Sequence, residues 1–307
     1  MRIRVLGTTA GGGLPQWNCN CANCRRARAA GPSGRRLQSS LAVSPDGAAW
    51  YLINATPDVR EQMAHFRALA PGPGIRDTPL RGVLLTDAEL DHTLGLLNLR
   101  ENARWTLWAT PAVLHVLESV YPVLPILRAY SSELQVRAMP VDRAFMLPPE
   151  RAPGASVQVL ATEVSRRLPV YAQALSGAPA PGAVVAFTLT NPATGRRLVY
   201  APGLRRLEAS LRAQLEQADV VLLDGTLWDE DELIRLGVAH RTAADMDHAP
   251  MNGSHGTARW FGELPARWKL YVHVNNTNPA LDPSSPERRR LREAGLDIAE
   301  DGWEVEL

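Results

Sequence analysis

Val83-Leu-Leu-Thr-Asp87-Ala-Glu89-Leu-Asp91-His92-Thr-Leu-Gly-Leu-Leu97 is an apolar run that empties into a cluster of carboxylate and imidazole groups, then resumes in an apolar pattern with helical spacing. That order predicts a strand, a turn and a helix over 91–101. Ligands in open α/β sheets gather where strands end at their carboxyl side. Asp87, Glu89, Asp91 and His92 are therefore candidates for metal chemistry or catalysis. For Asp87 and Asp91 the other open reading is a helix cap, with their neighbours facing solvent.

Strand-like runs recur on both sides of this turn, at 2–6, 40–44, 50–54, 82–86, 105–109, 183–190, 197–201, 220–224 and 269–274. Helical patterns are predicted at 57–70, 110–120, 205–217, 229–236, 256–263 and 286–293; Thr110 followed by Pro111 is a helix-start signal. Strands interrupted by helices predict a layered α/β protein. The small-residue stretch 174–181 divides two strand-rich halves and is a candidate midpoint of a duplicated sandwich. No sequence repeat links the halves, so residues 1–307 read as a single domain.

The 307 residues carry 33 basic and 32 acidic side chains, a net charge of +1, and 45% are hydrophobic. A near-neutral chain has no field for a polyanion, so nucleic acid is not expected as a partner. The arginine clusters 25–26, 35–36 and 288–290 are short and are expected on solvated helix faces. No run of about 18 apolar residues exists, and no membrane association is expected. The first residues alternate like a strand and run into glycines, which does not resemble a signal peptide.

All three cysteines lie in Trp17-Asn-Cys19-Asn-Cys21-Ala-Asn-Cys24. Three thiols in six positions make a poor disulfide scaffold, and a reducing, cytoplasmic setting fits them. At C-x-C-x-x-C spacing three thiolates can converge on one tetrahedral ion at about 2.3 Å, with Zn2+ favoured. A redox pair, Cys21 and Cys24, would leave Cys19 unexplained. The fourth zinc ligand must come from far along the chain, so the site should be structural.

The acidic turn resembles the H-x-H-x-D-H signature of metallo-β-lactamase-fold proteins, whose fold is a four-layer αββα sandwich. Here Asp87 and Glu89 replace the first two histidines, while Asp91-His92 keeps the final pair. The family's third histidine for the first metal is absent from 160–172. The resemblance thus implies one surviving site. Val220-Val-Leu-Leu-Asp224-Gly-Thr226 resembles the position that bridges the metals, and His273 resembles the last ligand. The implied active-site metal is held by Asp91, His92 and His273, with Asp224 direct or through water. Two histidines and a carboxylate suit Fe2+, other divalent ions being open.

Gly7-Thr-Thr-Ala-Gly-Gly-Gly-Leu-Pro-Gln-Trp-Asn-Cys-Asn-Cys21 and His273-Val-Asn-Asn-Thr-Asn-Pro279 narrow the resemblance to the branch that makes pyrroloquinoline quinone (PQQ). Asp245-Met-Asp-His248-Ala-Pro-Met-Asn-Gly253 falls where related phosphodiesterases carry an acid–base histidine. His248 and His255, in a loop rich in Gly, Asn and Ser, are both candidates for acid–base or substrate contacts. His65, His115 and His240 are expected to be structural. His273 and Asn276 compete for the knuckle's fourth position; the family's ligand order gives His273 to the catalytic metal.

The resemblance implies iron-dependent hydroxylation of the tyrosine of a Glu-Tyr precursor. A metal-dependent hydrolase of the same pathway and a non-catalytic PQQ carrier or transport protein are the alternatives. The implied partner is a small molecule or dipeptide, with room for a homodimer and for other proteins of the PQQ pathway.

Overall fold

Side chains of a strand alternate between its two faces, and in this chain both faces are apolar. A computed structural model describes residues 1–101, 104–176 and 180–307. Among these, two seven-stranded sheets form. The strands are β1 Arg2–Gly7, β2 Ser40–Ser44, β3 Trp50–Ile53, β4 Leu80–Leu84, β5 Thr106–Ala109, β6 Gln135–Ala138 and β7 Phe145–Leu147. They continue with β8 Val157–Ser165, β9 Val184–Thr190, β10 Arg197–Ala201, β11 Val220–Asp224, β12 Trp268–Val272, β13 Asp297–Ile298 and β14 Glu304–Glu306. The orders are β14-β1-β2-β3-β4-β5-β6 and β13-β12-β11-β10-β9-β8-β7.

Leu41, Val43, Tyr51 and Ile53 of the first sheet meet Leu198, Tyr200, Val220 and Leu222 of the second in one core. Their neighbours face outward. Ala42 and Leu52 pack with Val113, Val123 and Leu127 of helices Pro111–His115 and Val123–Tyr130. On the other side Val199, Val221 and Leu223 pack with Leu211, Phe261 and Leu291 of helices Ala209–Leu215, Thr257–Glu263 and Pro286–Glu293. Three apolar layers between four structural layers make the αββα sandwich that the acidic turn led us to expect.

The pairing pattern repeats where the sequence does not. From β1 to β6, two antiparallel pairings are followed by three parallel ones. From β8 to β13 the same succession recurs. The changeover between sheets lies between β6 and β7, not at 174–181, of which 177–179 fall outside the described residues. The short β6 and β7 carry too little alternation to have marked it.

Several predicted helices are shorter than their periodicity. The helix expected over 91–101 is α-helical only at Leu90–Thr93 and tightens to 3-10 geometry over Leu94–Leu99. The amide of Gly95 donates to Ala55 O at 2.9 Å, and a Cβ there would stand 2.1 Å from Thr56 O. The loop after β3 thus takes hydrogen bonds that an α-helix would need. Helix 57–70 is α-helical at Val59–Ala64 only, 205–217 at Ala209–Leu215, and 229–236 at Glu232–Arg235. Helices Ala22–Ala30, Val123–Tyr130 and Val170–Ser176 were not anticipated. Arg288 corrects the expectation of solvated arginines. It is 2% exposed, donates to Asp297, and reaches Ala280 O and Ile298 O at 3.2 Å each. Among the described residues, no single helix is long and apolar enough to cross a membrane.

Candidate metal centre

β4 of the first sheet and the parallel neighbours β11 and β12 of the second each deliver, beyond their carboxyl ends, one part of a buried polar cluster. After β4 come Asp87, Asp91 and His92; β11 ends in Asp224; His273 follows β12. Asp91, His92 and His273 offer ligand atoms within 4.8 Å of one another, and so do Asp224, His248 and His273. His273 belongs to both groups. Its φ of +55° is unusual for a residue with a Cβ.

Each histidine has its Nδ1 engaged. His92 Nδ1 lies 2.8 Å from both Asp87 oxygens. His248 Nδ1 lies 2.6 Å from Asp224 Oδ2, and His273 Nδ1 lies 2.9 Å from Thr226 Oγ1. Thr226 in turn donates its hydroxyl to Asp224 Oδ1 at 2.6 Å. With protons on the three Nδ1 atoms, each Nε2 is left as an acceptor. His273 Nε2 is 3.1 Å from Asp91 Oδ2. His92 Nε2 is buried and has no hydrogen-bond partner among the described residues. An orphaned imidazole nitrogen beside a carboxylate is costly unless a cation takes its lone pair, so the donor set fits a divalent metal.

The charges agree. Burial pushes the Asp91 and Asp224 carboxyls up, but their histidine neighbours, His92 and His273 for Asp91, His248 and His273 for Asp224, outweigh it and hold both well below the usual range. Burial lowers His273, yet hydrogen bonds and charge from Asp224 and Asp91 lift it to about 10. The two buried carboxylates therefore favour a positive charge among these histidines, which a proton supplies in the absence of a metal and a divalent ion at Nε2 would supply in its place. Glu89, at the exposed rim, is pushed up to about 7, by burial of its carboxylate first and then by Asp87 and Asp91.

Asp87 has a different place from the one its sequence position suggests. Its carboxylate also accepts from Thr86 Oγ1 at 2.7 Å and from the Glu89 amide at 2.9 Å, so it faces His92 and its own turn. Glu89, Asp91, His92, His248 and His273 line one pocket of about 290 Å³, with Asp87 in its wall. His255 is not among them. It lines a separate cleft with Arg205, Arg206 and Trp260. The hydroxyl of Thr226, which joins Asp224, His248 and His273, was missed from sequence. Its signal was its position two residues after the carboxylate that ends an apolar strand.

The cysteine knuckle stands behind this pocket. Cys19, Cys21 and Cys24 have their sulfurs within 4.8 Å of one another, and Cys21 caps helix Ala22–Ala30. The side chain that approaches them is Asn276, whose Nδ2 lies 3.3 Å from Cys24 Sγ and 3.7 Å from Cys21 Sγ. A 180° turn of the amide would present its oxygen instead. Asn23 Nδ2 donates to Asn276 O and Asn278 O, and Val274 N donates to Thr8 O. The knuckle is thereby joined to the loop that begins with His273. On the same N-terminal segment, Gly11 lies against Asp91: a Cβ there would be 3.3 Å from Asp91 Oδ2.

Known proteins place the chain. Residues 49–274 match the model of the beta-lactamase superfamily domain. Coenzyme PQQ synthesis protein B of Nitrosococcus oceani is 41% identical, with 100% of each chain covered. That of Cupriavidus taiwanensis is 44% identical over 99% of each. A crystal structure of Zn2+-bound PqqB from Methylobacterium extorquens superposes with a TM-score of 0.89 at 35% identity, covering 100% of both chains. With β strands, layers and polar cluster in the same frame over the full length, the chain belongs to the coenzyme PQQ synthesis protein B family of the β-lactamase superfamily.

Proposed function

We propose that the chain is a metal-dependent enzyme of PQQ biosynthesis that hydroxylates the tyrosine ring of a Glu-Tyr precursor, using Fe2+ held by Asp91, His92 and His273. The observation that carries this reading is the buried, partnerless Nε2 of His92 beside Asp91 and His273. Two imidazoles and one carboxylate leave coordination positions open, the arrangement of non-haem iron oxygenases. Iron bound there would supply dioxygen activation. A ring C–H, dioxygen, two electrons and two protons from an external reductant would give a ring C–OH and water.

The chain's own residues have separable tasks. Asp87 fixes the His92 ring through Nδ1 and keeps Nε2 aimed at the pocket. Thr226 does the same for His273. His248, held at Nδ1 by Asp224, keeps Nε2 available to give or take a proton at the substrate. Leu168, Val184 and Leu233 shield the pocket from water on its apolar side. Zn2+ at Cys19, Cys21 and Cys24, with Asn276 as the nearest fourth donor, would be structural.

The test is anaerobic loading with Fe2+, addition of glutamyl-tyrosine, a reductant and dioxygen, and mass spectrometry of the products, with His92→Ala as control. A gain of one oxygen that disappears in the control supports the hydroxylase. Cleavage of the peptide bond without oxygen gain favours a hydrolase, for which the Asp224–His248 pair would serve as acid–base. Retention of an unaltered ligand favours a carrier.

A further inference from the structure

The pocket has a second pole. Among its described lining residues the only arginines are Arg167 and Arg241, and no lysine joins them. Arg167 follows β8, the segment in which the family's third histidine is missing, so a permanent cation lines the pocket without a metal. Neither guanidinium has a carboxylate within salt-bridge distance among the described residues, whereas many surface arginines here do. Arg167 Nη1 makes one long contact, 3.5 Å to Ala244 O.

Asp245 shows that the two arginines share a neighbourhood. Its carboxylate accepts from the Thr242 amide at 3.0 Å, and the more distant charges of both Arg167 and Arg241 act on it. Asp245 is committed to the turn at Thr242 and makes no ion pair with either arginine among the described residues. Leu168, Val170, Leu233 and Met246 give the same pocket an apolar lining beside its arginines and histidines. Val170 is 52% exposed, although it borders the opening. A volume of about 290 Å³ suits a small ligand.

We propose that Arg167 and Arg241 form a rim that binds the C-terminal carboxylate of a small acid and sets the pocket's specificity, the ligand's apolar body lying over Leu168 and Leu233 with its reacting end towards His92 and His273. This rests on the reading of the pocket as the substrate site, and it names the group recognised there. Guanidinium and carboxylate pair through two parallel hydrogen bonds, which fix direction as well as affinity. An arginine rim would also turn the ligand so that its carboxylate stays away from the metal, where it would otherwise compete for the open positions.

The test uses metal-loaded protein under argon, without reductant, so that binding is read apart from turnover. Calorimetric titration compares glutamyl-tyrosine with its C-terminal amide. The acid should bind at least about tenfold more tightly than the amide, as expected for one charge-assisted pair. Arg167→Gln and Arg241→Gln should each reduce that preference, and the double variant should abolish it, with metal content and melting temperature unchanged. Arg167→Lys should keep part of it, since charge survives and the fork does not. Equal affinity of acid and amide in the wild type, no measurable binding of the acid, or an undiminished preference in the double variant would overturn the proposal. A protein that binds the acid selectively yet never hydroxylates it would sink the hydroxylase reading and leave the arginine rim standing.

Discussion

Replacing Asp87 by Asn tests the division of labour between a ligand and its support. Both Asp87 oxygens face His92 Nδ1 at 2.8 Å, while Thr86 Oγ1 and the Glu89 amide also donate to the carboxylate. An amide keeps one oxygen and turns an NH2 towards a donor, so at least one of these contacts becomes repulsive. Loss of a charged acceptor costs about 1.5–3 kcal/mol. Removing the partner of a metal-bound imidazole weakens metal binding by roughly 10–100-fold. Asp87→Asn should therefore lower affinity at the histidine site by about that factor and leave the knuckle untouched. Competition between metal-free protein and a chromophoric chelator for Co2+ reads both sites, because thiolate-bound and nitrogen-bound cobalt absorb differently. Asp87→Ala should lose more, since Thr86 and Glu89 are then left without that acceptor. Wild-type affinity at the non-thiolate site in Asp87→Asn would refute the positioning role.

Asn54 sits at φ +65° and joins Thr86 twice, through its amide nitrogen at 2.9 Å and by accepting from the Thr86 amide at 3.0 Å. Asn54→Ala adds left-handed strain and strands those groups, and urea unfolding should show a loss of about 3 kcal/mol. Cys24→Ser should bind less than one zinc per chain at the knuckle and also lower the activity, because the loop beginning at His273 is tied to the knuckle through Asn276; full activity in a knuckle without zinc would separate the two sites. Asp301 accepts from Thr8 Oγ1 and the Leu37 amide, both at 2.6 Å, and burial pushes it up to about 6. Its folded pKa lies above the unfolded value near 3.9, so the native state binds the proton more tightly and stability falls as pH rises from about 4 to 6. In Asp301→Asn that downward slope, measured by chemical unfolding at each pH, should be lost.

The sequence made the sandwich legible wherever strands were buried on both faces. Val220–Asp224 and Arg197–Ala201 lie at their expected bounds because four apolar residues in a row have few other uses. Helices were less legible at the pocket. The 91–101 pattern is helical in spacing, but Gly95 donates to Ala55 O, a tertiary contact that no local pattern announces. Asp91, His92 and His273 could be named because strand ends and family order point to them. The arrangement of Asp87 could not, since only the folded turn shows both its oxygens against His92. His255 shares with His248 a loop rich in Gly, Asn and Ser, and that composition made both candidates for one site. The fold separates them: Ala249 N donates to Leu204 O, and His255 opens into the cleft beside Arg205. Arg167 and Arg241 had no motif, because only the folded chain brings their two distant loops to one pocket.

The claim on which the rest depends is a single ion held by Asp91, His92 and His273. Crystals of protein loaded with Fe2+ under argon, with diffraction collected on both sides of the iron absorption edge, test it directly. The account predicts an iron-specific anomalous peak about 2.0–2.2 Å from His92 Nε2, His273 Nε2 and an Asp91 oxygen. A peak held instead by Asp224, His248 and His273, or iron found only at the cysteines, would contradict it.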